Sequence, residues 1–171
     1  MSHLKIVSKM ALVIGITSGL VAAERWKGDP PRFEDYAASN QFLGKKAALV
    51  ISKQDRMYRT RLKRGAEGNP NFAGRYILTI WGCGASCRMG AAIDTKTGRV
   101  HWLPGTVCCW DVSIEEDPKI GDPILFRQNS KLIVLSGLLN ETGTNGSHYF
   151  KFENGEFIPL LTVPTPLPSV P

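Results

Sequence analysis

The stretch SHYFKFENGEFIPLL, Ser147–Leu161, carries the strongest fold signal in the sequence. Its central Asn-Gly dipeptide at 154–155 separates two runs rich in aromatic and aliphatic residues, which is the pattern of a β-hairpin closed by a two-residue type I′ turn. Such a turn would place Phe152 opposite Phe157, and aromatic pairs at these positions stabilise a sheet. The stretch therefore predicts an antiparallel hairpin close to the C-terminus.

Strand-forming residues also dominate much of the sequence before this hairpin. Asp94–Gly98 is a second tight-turn sequence, in which the glycine can adopt a left-handed conformation. Lys131–Leu139 is a long apolar run, typical of a central strand. The other strand candidates are 47–51, 75–81, 89–94 and 100–103. We therefore predict a mainly β fold: a single antiparallel sheet or meander of about six to eight strands with one short helix, stapled by disulfides.

The segment 52–64 is compatible with two secondary structures. Ser52 and Asp55 have the spacing of a helix capping box, and Tyr58 and Leu62 would then share one helix face. Read as a strand, the same segment alternates apolar and basic residues equally well. The capping residues favour a helix.

The first 23 residues have the composition of a signal peptide. Lys5 and Lys9 precede an apolar segment at 10–21, and small residues follow it up to Ala23. The apolar segment is shorter than the roughly 20 residues of a transmembrane helix, although an uncleaved anchor is the alternative. We therefore predict cleavage after Ala23, a periplasmic or secreted protein, and no stable membrane insertion after cleavage.

Composition is that of an ordinary globular chain, with 171 residues, 43% hydrophobic residues, 21% charged residues and a net charge of +6. Removal of residues 1–23 would leave 148 residues with a net charge of +4. This mild excess does not by itself indicate a nucleic-acid partner, and we expect none. We predict one domain at 24–163 and an extended proline-rich tail at 164–171.

The four cysteines form two groups in the sequence. Cys83 and Cys87 flank a short turn, whereas Cys108 and Cys109 are adjacent. In an exported chain an even number of cysteines indicates disulfides, and sequence alone leaves their connectivity open. Because a bond between adjacent cysteines needs a strained ring, we favour two cross-links between the groups. The spacing is not that of a zinc finger, so we predict no metal site and no cofactor.

Three tryptophans, Trp81, Trp102 and Trp110, lie close to the cysteines in the sequence. One hypothesis is an aromatic platform that stacks on a sugar ring or a protein partner. The alternative is a packed core, which we favour because tryptophan buries so much apolar surface.

Basic residues occupy six of the twelve positions from Lys53 to Arg64. On a helix, Arg56, Arg59 and Lys63 would share one face. Such a run is usually solvated surface, but it would also suit an anionic partner, such as an envelope polymer or an acidic protein. Five acidic residues lie between 111 and 122 without the spacing of a calcium loop, and the two runs could instead neutralise each other.

Catalytic signatures are weak. Ser86 does not lie in a nucleophile elbow, and His148 falls on a predicted strand face with phenylalanines, where a structural role is expected. The alternative hypothesis of a small hydrolase would need the fold to bring together Ser86, His101 and Asp94.

Several motifs are similar to those of a known family. They are R-T-R-L at 59–62, P-N-F-A-G-R-Y at 70–76, W-G-C-G at 81–84 followed by Cys87, and the runs 94–98, 108–110 and 148–155. With them the chain resembles a family of small exported proteobacterial proteins that has no assigned activity. The resemblance covers most of the exported chain, and in that family the residue at the position of Arg75 is usually His. It implies no cofactor, partner or catalytic residue.

The favoured interpretation is a non-enzymatic periplasmic binding or inhibitor-type module that recognises a protein or an anionic envelope polymer. Its candidate binding residues are the three tryptophans with Arg56, Arg59 and Lys63. A small envelope hydrolase and an immunity protein against a toxin are the alternatives.

Overall fold

The structure is a computed structural model that describes residues 29–38, 42–110 and 122–165. The predicted signal peptide at 1–23 lies outside these residues, as do most of the acidic run (111–121) and the end of the predicted tail (166–171). No helix in the described ranges is both long enough and apolar enough to cross a membrane.

The described chain folds mainly into antiparallel β-strands, as predicted. The strands are β1 (Tyr76–Gly84), β2 (Cys87–Asp94), β3 (Val100–Trp102), β4 (Val107–Cys108), β5 (Ile124–Phe126), β6 (Leu132–Leu139), β7 (Thr142–Glu153) and β8 (Glu156–Pro164). The helices are two 3-10 helices, Phe33–Tyr36 and Gln54–Tyr58, and helix α1 (Arg59–Ala66). The helix interpretation of 52–64 is therefore confirmed.

The predicted strand at 47–51 is wrong, because this segment joins no sheet ladder. Instead, the backbone N–H groups of Ala47 and Val50 donate hydrogen bonds to the carbonyls of Thr95 and Gly98. The segment thus lies along the β2–β3 turn. A short apolar run is compatible with either arrangement, and the contact with the turn decides between them.

The sheet consists of two antiparallel groups that the short strand β4 joins. The strand order is β1-β2-β4-β6-β7-β8, with β3 paired to β2 and β5 paired to β6. Within β4, Cys108 lies opposite Cys87 of β2 on one side and opposite Leu138 of β6 on the other. β6 pairs with β4, β5 and β7, so the predicted central position of the 131–139 run is confirmed.

Two hydrophobic cores lie on opposite faces of β1. The larger core contains Tyr76 and Leu78 of β1 together with side chains from β2, β6 and β7. The second core contains the alternate residue Ile77, and Leu62 of α1 covers it. Since successive residues of a strand point to opposite faces, β1 is buried on both sides.

The hairpin of β7 and β8 has the predicted turn. Phe152 lies opposite Phe157, and both turn residues have positive φ, with 53° at Asn154 and 85° at Gly155. A side chain at Gly155 would collide with the His101 ring, so the turn also requires glycine for close packing. β8 extends to Pro164, the first residue of the predicted tail.

Candidate functional site

The cysteines come together in space as predicted, but with a different connectivity. Cys83 bonds to Cys87 across the β1–β2 turn, where their Cα atoms are 5.2 Å apart, a normal separation for a disulfide. Cys108 and Cys109 are thiols in this structure. The predicted cross-links are therefore not formed, because the tight turn brings Cys83 and Cys87 within bonding distance of each other.

The two thiols differ in their surroundings. Cys108 is buried opposite Cys87, whereas Cys109 is exposed and has a φ of 59°. The hydrogen bond with Cys109, together with burial, raises the pKa of Cys108 to about 11. Cys108 therefore stays mainly in the thiol form at neutral pH, and the thiol is a much weaker nucleophile than the thiolate.

Trp81 and Trp102 belong to the second core and do not form a surface platform. The Tyr58 ring lies 5.7 Å from the Trp81 ring and 5.1 Å from the Trp102 ring, measured between centroids. The Trp102 indole donates a hydrogen bond of 2.9 Å to Asp55, and Trp81 is buried. The interpretation of these two tryptophans as core residues is supported by this packing.

Trp110 lies apart from the other two. It packs against the larger core, and the Arg88 guanidinium lies 5.7 Å from the centroid of its ring. Its buried indole N–H has no hydrogen-bond acceptor among the described residues. The structure therefore does not assemble the three tryptophans into one binding surface.

Arg56, Arg59 and Lys63 do come together. With Ile51 they line an open groove of about 590 Å³ along the 54–58 helix and α1, which we call the basic groove. All three cationic residues are exposed, and no ion pair joins them to a carboxylate of the described chain.

Hydrogen bonds near both ends of the helical segment 54–66 hold the backbone of the basic groove in place. Asp55 is 4% exposed and accepts hydrogen bonds from the Ser52 backbone N–H (2.7 Å) and the Trp102 indole (2.9 Å). At the C-terminal end of α1, the exposed Lys46 ammonium donates hydrogen bonds to the carbonyls of Ala66, Glu67 and Gly68. The Lys46 contacts satisfy carbonyl groups that a helix leaves unpaired at its C-terminal end.

The catalytic trio of the hydrolase hypothesis is not assembled. Ser86 lies in the β1–β2 turn, and Asp94 lies at the other end of β2, about 23 Å away for a strand of this length. His101 is in β3, where it lies opposite Ala92 of β2 and packs against Tyr76 and Phe152. Asp94 binds Arg75, so the structure gives these residues separate surroundings.

His148 has the structural role that its position predicted. It is buried, with one ring nitrogen 3.0 Å from the Thr162 hydroxyl and the other 2.9 Å from the Gly137 carbonyl. Both ring nitrogens are thus engaged in holding β6, β7 and β8 together.

The sequence analysis missed a cavity of about 180 Å³ on the side of the larger core. Its lining includes Arg75 and Tyr76 at the start of β1, Lys131 before β6, and Phe152, Glu153 and Asn154 at the β7–β8 turn. Arg75 and Lys131 are far apart in the sequence and belong to no charge run, so no local signal pointed to this site.

A fixed loop positions Arg75 at the cavity. The Asn71 side chain exchanges two hydrogen bonds with the Leu78 backbone, and the Gly74 N–H donates one of 2.7 Å to the Gln128 carbonyl. Ala73, which also lines the cavity, has a φ of 45°. Left-handed backbone at a residue other than glycine costs free energy and persists where the surroundings enforce it.

Comparison with protein-family models, curated proteins and solved structures gives no match to this chain. The family resemblance of the sequence motifs therefore stays a prediction.

Proposed function

We propose that this protein is a non-enzymatic binding module and that the basic groove receives a polymer with repeated anionic groups. The observation that carries the proposal is the grouping of Arg56, Arg59 and Lys63 in one groove without a carboxylate partner in the described chain. Cations that are not paired within the protein are available to bind anions from outside it.

The spacing of the three cations suits a chain of repeated charges. They are three and four residues apart on consecutive helical turns, and such neighbours have Cβ atoms about 5–6 Å apart. The cationic groups therefore form a row along the groove. A flexible polyanion can follow that row and contact each cation in turn.

The lining of the groove favours a polymer over a folded protein. Ile51 is the apolar residue among the four that line it. A protein interface usually has an apolar, well-packed centre with the charges at its rim. The basic groove lacks this arrangement.

The proposed location is the periplasm or the exterior of the cell. Two features support it: the signal-peptide composition of residues 1–23 and the Cys83–Cys87 disulfide, which persists in oxidising compartments. In such a location, the partner would be an anionic polymer of the cell envelope.

Titration with fluorescent dextran sulfate, with neutral dextran as the control polymer, tests this proposal. Removing three screened contacts, in R56Q/R59Q/K63Q, is expected to weaken binding about ten- to a hundredfold. Binding should also weaken as salt rises from about 0.05 to 0.3 M, since salt screens exposed charges.

The matched control variant is R61Q/R64Q/K96Q, which removes the same charge from exposed positions outside the groove lining. It should lose less than about threefold in affinity, because its effect is limited to the overall field of the protein. Equal losses in the two variants would mean that net charge alone drives binding, and the proposal would be wrong. Tighter binding of an acidic globular protein than of dextran sulfate would also contradict it.

A further inference from the structure

We infer that the cavity lined by Arg75, Tyr76 and Lys131 binds a small organic monocarboxylate. This site is separate from the basic groove, whose residues contribute nothing to its lining. The inference rests on the hydrogen-bond donors that face the cavity, on its charge and on its volume.

The Arg75 guanidinium is oriented before any ligand arrives. Its Nε and Nη2 donate hydrogen bonds of 3.1 and 3.0 Å to the two carboxylate oxygens of Asp94, whose side chain is 5% exposed. Asp94 in turn accepts a hydrogen bond from the Lys96 backbone N–H. The Nη1 group of Arg75 donates to no described residue, and the side chain is 42% exposed. Arg75 therefore keeps donors for an anion.

Tyr76 supplies a second donor beside Arg75. Its hydroxyl oxygen accepts a hydrogen bond of 2.9 Å from Arg75 Nη2, which leaves the hydroxyl proton free to be donated. Burial raises the pKa of Tyr76, so the hydroxyl stays protonated at neutral pH. A ligand carboxylate can then accept from the guanidinium and the phenol together.

Lys131 also lines the cavity, and its ammonium group forms a loose ion pair with Glu153. Its Nζ lies 3.9 Å from Glu153 Oε1, beyond hydrogen-bond distance, whereas Lys151 Nζ donates to Glu153 Oε2 at 2.9 Å. Counted together, the three cations Arg75, Lys131 and Lys151 exceed the carboxylates Asp94 and Glu153 by one charge. This balance suits a monoanion and disfavours a zwitterion.

Size and shape narrow the ligand class further. An engineered protein cavity of about 150 Å³ binds benzene, so a volume of about 180 Å³ suits a ligand of about six non-hydrogen atoms. Phe152 and the Tyr76 ring provide an apolar wall for a short alkyl group. The ligand class is therefore a short hydroxy acid or fatty acid.

Titration with sodium lactate tests this inference. The protein is expressed from its full-length sequence, and binding is followed by the NMR chemical shifts of its backbone amides. We expect saturable shifts at Tyr76, Lys131 and Asn154, with a dissociation constant on the order of 1 mM for so small a ligand. Sodium chloride at the same concentrations is the control for ionic strength. Alanine, a zwitterion of similar size, and propane-1,2-diol, which lacks a carboxylate, should each bind at least tenfold more weakly.

Two variants preserve the Arg75–Asp94 pair and so separate binding from folding. Y76F and K131Q should each raise the lactate dissociation constant about three- to tenfold, since each removes one donor. R99Q, which removes an exposed cation outside the lining, should leave it unchanged. The inference is wrong if lactate gives no saturable shifts, if alanine or the diol binds as well, or if both donor variants bind normally.

Discussion

The two groups of cations in this protein are held in opposite ways. Arg75 is bound on one side by a buried carboxylate and the Tyr76 hydroxyl, so its orientation is set by the fold. Arg56, Arg59 and Lys63 project from a helical surface without ion-pair partners in the described chain. A fixed cation can recognise the shape of a small ligand, whereas a row of exposed cations without ion-pair partners in the described chain can recognise charge and spacing.

The largest expected effect comes from removing the carboxylate that fixes Arg75. In D94N the guanidinium loses its counterion, and breaking a buried ion pair costs about 3–5 kcal/mol. Because Arg75 is 42% exposed, water compensates part of this loss, and we expect the free energy of unfolding to fall by about 2–3 kcal/mol. Urea denaturation monitored by tryptophan fluorescence measures it.

The matched control is E67Q, which removes an exposed carboxylate whose backbone, not its side chain, bonds to Lys46. Its unfolding free energy should change by less than about 0.5 kcal/mol. If D94N were as stable as E67Q, Arg75 would be no more firmly held than the cations of the basic groove, and the comparison would fail.

A smaller effect is expected beneath the basic groove. In D55N the Ser52 N–H and the Trp102 indole lose a charged acceptor, which should lower the unfolding free energy by about 1–2 kcal/mol. The same urea denaturation at pH 7 measures this loss. A loss of this size would show that the fold holds the helix backbone firmly, although the cations of that helix are not held by ion pairs.

The pH dependence of the D55N effect tests whether the charge of Asp55 is responsible for the loss of stability. Burial acts to raise the pKa of Asp55, but the hydrogen bonds from Ser52 and Trp102 outweigh it, so the pKa is lowered. A lowered pKa contributes stability above the pKa of the unfolded chain, near 3.8, and that stability is lost as pH falls through the folded value. The difference between the wild type and D55N should therefore shrink below about pH 4. A constant difference from pH 7 to pH 2 would contradict this role for the carboxylate.

The smallest effect is expected for the groove cations themselves. R56Q/R59Q/K63Q should change the unfolding free energy by less than about 0.5 kcal/mol, because exposed side chains without ion pairs contribute little to stability. Thermal unfolding by circular dichroism measures it, with R61Q/R64Q/K96Q as the matched control. A loss above about 1 kcal/mol in the groove variant alone would mean that these cations hold the fold together.

The sequence analysis succeeded where a local pattern is specific for one structure, and it failed where two arrangements fit the same residues. The Asn154-Gly155 turn and the hydrogen bond from the Ser52 N–H to Asp55 at the start of the helix depend on neighbouring residues, and the sequence pattern predicted both. The segment 47–51 was wrongly predicted as a strand because its backbone bonds to a distant turn. The cysteines were correctly expected to be close, but the tight turn paired Cys83 with Cys87.

The sequence by itself determined the mainly β fold, the turn residues and the basic face of the helix, because each depends on periodicity or on contacts within a few positions. Only the tertiary structure decided that Trp81 and Trp102 pack in one core while Trp110 packs against the other, and that Arg75, Tyr76 and Lys131 line one cavity. These groupings arise from the pairing order of the strands, with the short strand β4 joining the two antiparallel groups. The order depends on the combined burial of many side chains, and no local pattern encodes it.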